Sequence, residues 1–152
     1  MKRLVESPAM RAFDVLVGDW TLEIPDPPLG YANVRGTTSF AWLKGGVVFV
    51  QRSTMEAPEF PDGIVFYGAD AETGRLVAHT WDSRGVVREF ELGFEDGVLR
   101  MSRPLTEGES FAQRLTLTLS DDGRTLAGPV EMARDGATSE HDMEFLYRRV
   151  GG

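Results

Sequence analysis

The sequence has no cysteine, so no disulfide can staple it and no thiolate can act as nucleophile or metal ligand. Histidine is nearly as scarce, with His79 and His141 the only two. A two-histidine metal site needs further ligands, and no His-x-His or Glu-x-x-His spacing supplies one, so neither a metal nor another cofactor is expected. Basic side chains are in the minority, 16 against 24 acidic ones. The resulting net charge of −8 repels phosphate backbones and anionic lipid, which argues against nucleic acid and membrane surface as partners. Long apolar runs are also missing. Met1-Lys2-Arg3 begins like the charged region of a secretion signal, but Glu6 and Pro8 interrupt any apolar stretch behind it, and a cytoplasmic location is expected. The chain has no nucleophile elbow, no phosphate-cradling glycine loop and no pair of carboxylates on one strand. His79, Asp82 and Ser83 fall within a single hairpin, a spacing that does not suit a catalytic triad, so the sequence leaves open whether the protein is an enzyme.

What is abundant is turn chemistry: 17 glycines and 8 prolines punctuate short apolar runs along 152 residues. That length fits a single domain, residues 1–152, burying roughly two-thirds of the surface its unfolded chain exposes. Ser7 and Pro8 read as N-cap and first residue of a short helix whose apolar face is Met10, Phe13, Leu16 and Val17. Gly18 then delivers the chain into a strand where Trp20, Leu22 and Ile24 share the inward side. The prolines from Pro25 to Gly30 exclude ladder hydrogen bonds and predict a mobile loop, expected at a cavity mouth. A strand from Val34 to Trp42 turns at Lys44-Gly45-Gly46 into one from Val47 to Met55, which is apolar on both sides in its first half and so has no register fixed by period.

Ile64–Asp70 reads as the next strand, and Arg75–Asp82 follows, where either Leu76, Ala78 and Thr80 or Val77, His79 and Trp81 could face inward. The better apolar side from Val86 to Leu92 is Val86, Phe90 and Leu92, with Arg88 among them. Val98–Ser102 is a strand and residues 103–110 read as a loop. From Phe111 to Leu119 the alternation is clean and puts Gln113 inside. Gly128-Pro129 predicts a bend or bulge in the strand from Thr125 to Ala133. The last strand carries His141, Met143, Phe145, Tyr147 and Arg149 on one side. About ten short strands joined by tight turns, with helix only at the start, make an all-β chain, and closing the sheet removes its exposed edges. The expected fold is therefore an up-and-down antiparallel barrel with a short N-terminal helix at its closed end.

Gly18-Asp19-Trp20 opening the first long strand, together with a basic residue in the last strand, Arg148 or Arg149, resembles the signature of calycin-like barrels. That group includes lipocalins, fatty-acid-binding proteins and haem-binding nitrobindin-like proteins, and within it the chain resembles lipocalin-like domains of bacterial proteins. The resemblance implies a barrel closed at one end by the basic residue packed over Trp20, with a ligand cavity open at the other. The longer Gly-Thr-Trp-x-Gly-x-Gly pattern of nitrobindin-like proteins is not met, since Trp20 is followed by Thr21-Leu22-Glu23-Ile24. No segment corresponds to the helical lid of fatty-acid-binding proteins.

An apolar cavity with few polar groups suits a hydrophobic or amphipathic small molecule, and binding one is the leading expectation. The candidate ligand-binding residues are Trp42, Tyr67, His79, Trp81, Arg88, Gln113 and His141. Arg88 is the most informative, because an inward arginine requires either a carboxylate partner or an anionic ligand. Gln113 and His141 both begin strands that run parallel with one antiparallel strand between them, so both are expected at the open mouth and pointing inward. A cavity enzyme such as an isomerase or cyclase is the alternative function and a haem protein the third. A homodimer stays open.

Overall fold

The computed structural model describes residues 2–27 and 33–151. Ten strands form a closed antiparallel barrel, β2 (Gly18–Ile24), β3 (Val34–Trp42), β4 (Phe49–Met55), β5 (Gly63–Asp70), β6 (Leu76–Asp82), β7 (Val87–Glu95), β8 (Val98–Arg103), β9 (Ala112–Leu119), β10 (Thr125–Ala133) and β11 (Glu140–Arg149). Each strand pairs with the next in sequence, and β11 closes the ring on β2. A two-residue strand, β1 (Leu4–Val5), adds to the far end of β5. The expected loop from Pro25 to Gly30 lies partly outside the described residues. Among the described residues no helix is long and apolar enough to cross a membrane.

One end of the barrel is plugged. Residues Pro8–Leu16 form a 3-10 helix, with extended Ser7 as N-cap and Pro8 in the first turn, but the Ser7 hydroxyl makes no capping bond. The 3-10 repeat of three residues per turn eclipses Met10, Phe13 and Leu16, which are all buried. Val17, expected on the same face, is turned out to solvent for that reason. Phe13 enters the barrel bottom and touches three rings, those of Phe49, Tyr67 and Phe94, with centroids 5.2–5.4 Å away.

The last strand locks this plug. Arg149 pairs in register with Trp20 and lays its guanidinium over the indole, 4.3 Å from the ring centroid. It also donates to the carbonyls of Val15, Val17 and Gly123, the first two being groups that the end of the helix leaves without partners. The Trp20 Nε1–H donates to the Leu16 carbonyl at 2.9 Å. Gly18 has φ of 133°, and a Cβ there would stand 3.2 Å from the Arg149 guanidinium, so glycine answers both the backbone and the space. Arg148 points out and is exposed.

The alternation of the strands sets the interior. In β4 the inward residues are Phe49, Gln51, Ser53 and Met55, which resolves the register left open by the apolar run. In β6 Ala78 and Thr80 face in, while Val77, His79 and Trp81 form the outer wall. β10 loses its ladder contact to β9 at Gly128 and Pro129, where a Cβ on Gly128 would collide with the Thr116 carbonyl at 1.9 Å. The register with β11 then shifts between Val130 and Glu131, close to the bend expected from Gly128-Pro129.

That bulge corrects the inward placement of His141. Val130 faces Met143, but Glu131 faces His141, leaving Asp142 as the extra residue. Glu131 lies on the outer wall in an ion pair with Arg114, so its partner His141 lies there too. A one-residue slip exchanges the two faces of a strand, which simple alternation from Tyr147 back to His141 cannot register.

Candidate functional site at the barrel mouth

The inward side chains are not all buried to the same degree. At the plugged end the inward side chains Phe40, Phe49, Tyr67, Ala78, Leu99 and Leu126 are all at most 2 % exposed. Toward the other end Ile24, Val34 and Val130 are buried as well, whereas Met55, Val65, Leu115 and Phe145 face in and are only partly buried against that core, as are Trp42, Leu76 and Leu119 nearer the plug. On the mouth side the inward side chains with some exposure, Met55, Val65, Leu115 and Phe145, are apolar.

Between the two regions lies a hydrogen-bonded crossing. The Tyr67 hydroxyl donates to Gln51 Oε1 at 2.5 Å, and Gln51 Nε2 donates to the Tyr147 hydroxyl at 3.2 Å. All three residues are buried. Burial pushes the Tyr67 phenol well above its usual range, with Tyr147 nearby adding to the effect. Burial likewise raises Tyr147 to about 12, opposed by the bond from Gln51. Both phenols stay protonated at neutral pH. Tyr67 uses its proton on Gln51, whereas among the described residues no acceptor takes the proton of Tyr147. Thr38 and Ser53 share a further bond of 2.7 Å at this level.

At the mouth, β7, β8 and β9 bring two arginines together. Arg88 stands beside Thr80 on the inward side of β7, and Arg103 ends β8 on the same side. Both reach the Phe111 ring, just before β9, with the Arg88 guanidinium 5.7 Å and that of Arg103 4.9 Å from its centroid. Arg103 also covers Phe90 at 5.7 Å. Its Nε donates to Gln113 Oε1 at 3.3 Å, and its Nη1 donates to the Phe111 carbonyl at 2.9 Å and to the Glu109 carboxylate. Arg103 is 5 % exposed, and desolvation, with Arg88 nearby, lowers its guanidinium to about 10. It remains charged at neutral pH. Among the described residues, Arg88 has no carboxylate within ion-pair distance.

The sequence-chosen residues thus fall in four places. Arg88 and Gln113 meet at the mouth on either side of Arg103. Tyr67 lies deeper, in the crossing. Trp42 belongs to the plugged end, where its Nε1–H donates to Asp14 Oδ1 at 2.7 Å, its ring meets Phe49 edge-on and Arg11 covers it. His79 and Trp81 lie on the outer wall with Phe66, along a groove of about 460 Å³ that Leu4 and Lys2 also line. His141 is on the outer wall near the mouth, 3.9 Å from Asp26 and 3.8 Å from Glu144. A second groove of about 400 Å³ lies at the lip between β8, β9 and the turn after β10.

Arg103, Gln51 and Tyr147 were not chosen from sequence. Extending the Leu99, Met101 alternation by one step reaches Arg103, which the expected loop at 103–110 excluded; β8 includes it. Gln51 was hidden by the two-sided apolar run that begins β4. Among the described residues no three His, Asp or Glu side chains gather as a metal site. No protein-family model matches the chain, and a search of curated proteins finds none similar to it.

Proposed function

We propose that this protein is a calycin-like binding barrel that takes a hydrophobic or amphipathic small molecule into its upper interior, apolar end downward. The observation that carries the reading is the set of inward apolar side chains toward the mouth that stay partly exposed, Met55, Val65, Leu115 and Phe145. A chain whose only requirement was a stable core would bury Val65, Leu115 and Phe145 as fully as it buries Phe49 and Leu99. Leaving inward apolar surface wet forgoes roughly 25 cal/mol for each Å² left uncovered, which a ligand can recover. The few polar groups around that space, Tyr147 and Gln51 below and Arg88 and Gln113 above, suit orientation of a ligand with one polar end. The Gly18-Asp19-Trp20 strand start with Arg149 over the indole supports the calycin-like assignment.

Native mass spectrometry of freshly purified protein, followed by solvent extraction, tests the proposal. A retained lipid-like mass, or uptake of an added fatty alcohol at one molecule per barrel, is the expected result. A protein that is empty and takes up neither fatty alcohols nor fatty acids would overturn it. Chemical conversion of the retained molecule would turn the reading toward a cavity enzyme, and a Soret band toward a haem protein.

A further inference from the structure

Where a barrel strand faces water it alternates apolar with polar, and most of this outer wall obeys that rule. On β2 and β3 the outward pairs are Asp19 with Ser39, Thr21 with Thr37 and Glu23 with Arg35, and on β8 and β9 they are Arg100 with Thr116 and Ser102 with Arg114. β5 and β6 break the pattern. Their outward pairs are Ile64 with Trp81 and Phe66 with His79, and Val50 of β4 and Val87 of β7 extend these two rows to either side. Trp81 is 41 % exposed and is the only exposed aromatic side chain among the described residues. Leu4 closes over Gly68 on the same face, where a Cβ on the glycine would meet the leucine side chain at 2.6 Å.

The charges around this apolar face cancel. Lys2 pairs with Glu89 at 2.8 Å, Arg84 with Asp82 at 2.7 Å and Arg75 with Glu91 at 3.8 Å, while Arg3 and Asp70 line the groove together. These groups bring no net charge, so the −8 of the chain is carried by the rest of the molecule. A basic partner would be drawn to those acidic walls. A partner that is itself acidic is repelled by them and approaches most easily where the charge is offset. A second copy of this chain is such a partner.

We infer that the outer face of β4 to β7 is the interface of a two-fold symmetric homodimer, with Trp81 and Phe66 of each copy packed against the groove of the other. In such a dimer one patch meets itself and has to be self-complementary. Apolar centre meets apolar centre, and a rim carrying both signs sets cations of one copy beside anions of the other. An exposed tryptophan at the centre is the side chain that most often dominates an interface. The face lies outside the barrel, so the inference does not rest on the small-molecule reading.

Sedimentation velocity of the full chain over about 1–300 μM tests it, with a reversible dimer of Kd on the order of 10 μM expected. Trp81→Glu should weaken that dimer by about thirtyfold or more, the size of an interface hot spot. Lys2→Glu leaves the face net acidic in both copies and should weaken it by about three- to tenfold; adding Glu89→Lys to Lys2→Glu restores the balance and most of the affinity. Thr116→Glu adds the same charge to the outward side of β9 and should stay within about twofold of the wild type. Melting curves establish that each variant is folded, and because Lys2 is exposed its variants read the interface even if Trp81→Glu does not fold. A monomer at every concentration would overturn the inference. A dimer weakened as much by Thr116→Glu as by Trp81→Glu would place the interface elsewhere and overturn it too. So would a wild-type monomer that native mass spectrometry finds carrying a small molecule lost on Trp81→Glu, since the groove would then be a ligand site.

Discussion

The plugged end and the mouth of this barrel are made from the same strands and use arginine in opposite ways. At the plug, Arg149 has its donors taken by the carbonyls of Val15, Val17 and Gly123 while it covers Trp20. At the mouth, Arg88 has a ring beneath it and no carboxylate among the described residues, and Arg103 is held by a side chain from an exposed segment. A fully satisfied cation is a fastener, whereas a cation with spare donors stays available to an anion. The difference follows from sequence position. Arg149 ends the strand that pairs with the start of β2, where the helix end supplies unpartnered carbonyls; Arg88 and Arg103 lie where strands open onto loops.

The comparison makes graded expectations. Trp20→Ala removes the side chain between Phe40 and Arg149 and should cost about 3–5 kcal/mol in urea unfolding, as large aromatic truncations in filled cores do. A cost near zero would mean the plug is not the stable end. Tyr67→Phe deletes the donor to Gln51 Oε1 in the buried crossing, leaving an acceptor without its partner. It should cost about 1–3 kcal/mol, read as a shift in the urea midpoint with unchanged slope.

Asp142, the residue left over by the bulge in β11, gives a smaller and pH-dependent effect. Desolvation raises its carboxyl above the usual range, with His141 and Arg134 opposing. A carboxyl whose native pKa lies above its unfolded one binds protons more readily when folded, so stability is lost as pH rises through the window between the two. Asp142→Asn should therefore match the wild type in acid and exceed it by under about 1 kcal/mol at neutral pH, after allowance for solvent screening. Unfolding curves at acid and neutral pH check the sign; a variant weakened at neutral pH would contradict it. Smallest of all, His141→Ala should change stability by less than about 0.5 kcal/mol and leave ligand affinity where it was, because the imidazole is on the outer wall. A clear loss of affinity would put His141 back into the site.

The plugged end was the more legible half in sequence. Trp20, Leu22 and Ile24 alternate, Met10, Phe13 and Leu16 repeat at three residues, and the antiparallel pairing of first and last strands brings Arg149 to Trp20. These are local periodicities plus one topological rule. The mouth was less legible because its geometry depends on events that period does not encode. The β11 bulge reverses His141. The length of β8 decides whether Arg103 is a strand or a loop residue. The choice of inward side in β6, where both sides carry apolar groups, moves His79 and Trp81 to the outer wall. Arg88 was informative for a physical reason that survives these uncertainties of register: a charge on an otherwise apolar inward face demands a partner wherever the strand ends.

The central claim is that ligand enters the upper interior and not the groove on the outer wall. Methyl and aromatic NMR shifts followed during titration with decanoate test it directly. The expected shifts are on Met55, Val65, Leu115 and Phe145, with Trp20 and Leu126 at the plugged end unmoved and Phe66, His79 and Trp81 on the outer wall unmoved. Shifts confined to Phe66, His79 and Trp81 would contradict the claim.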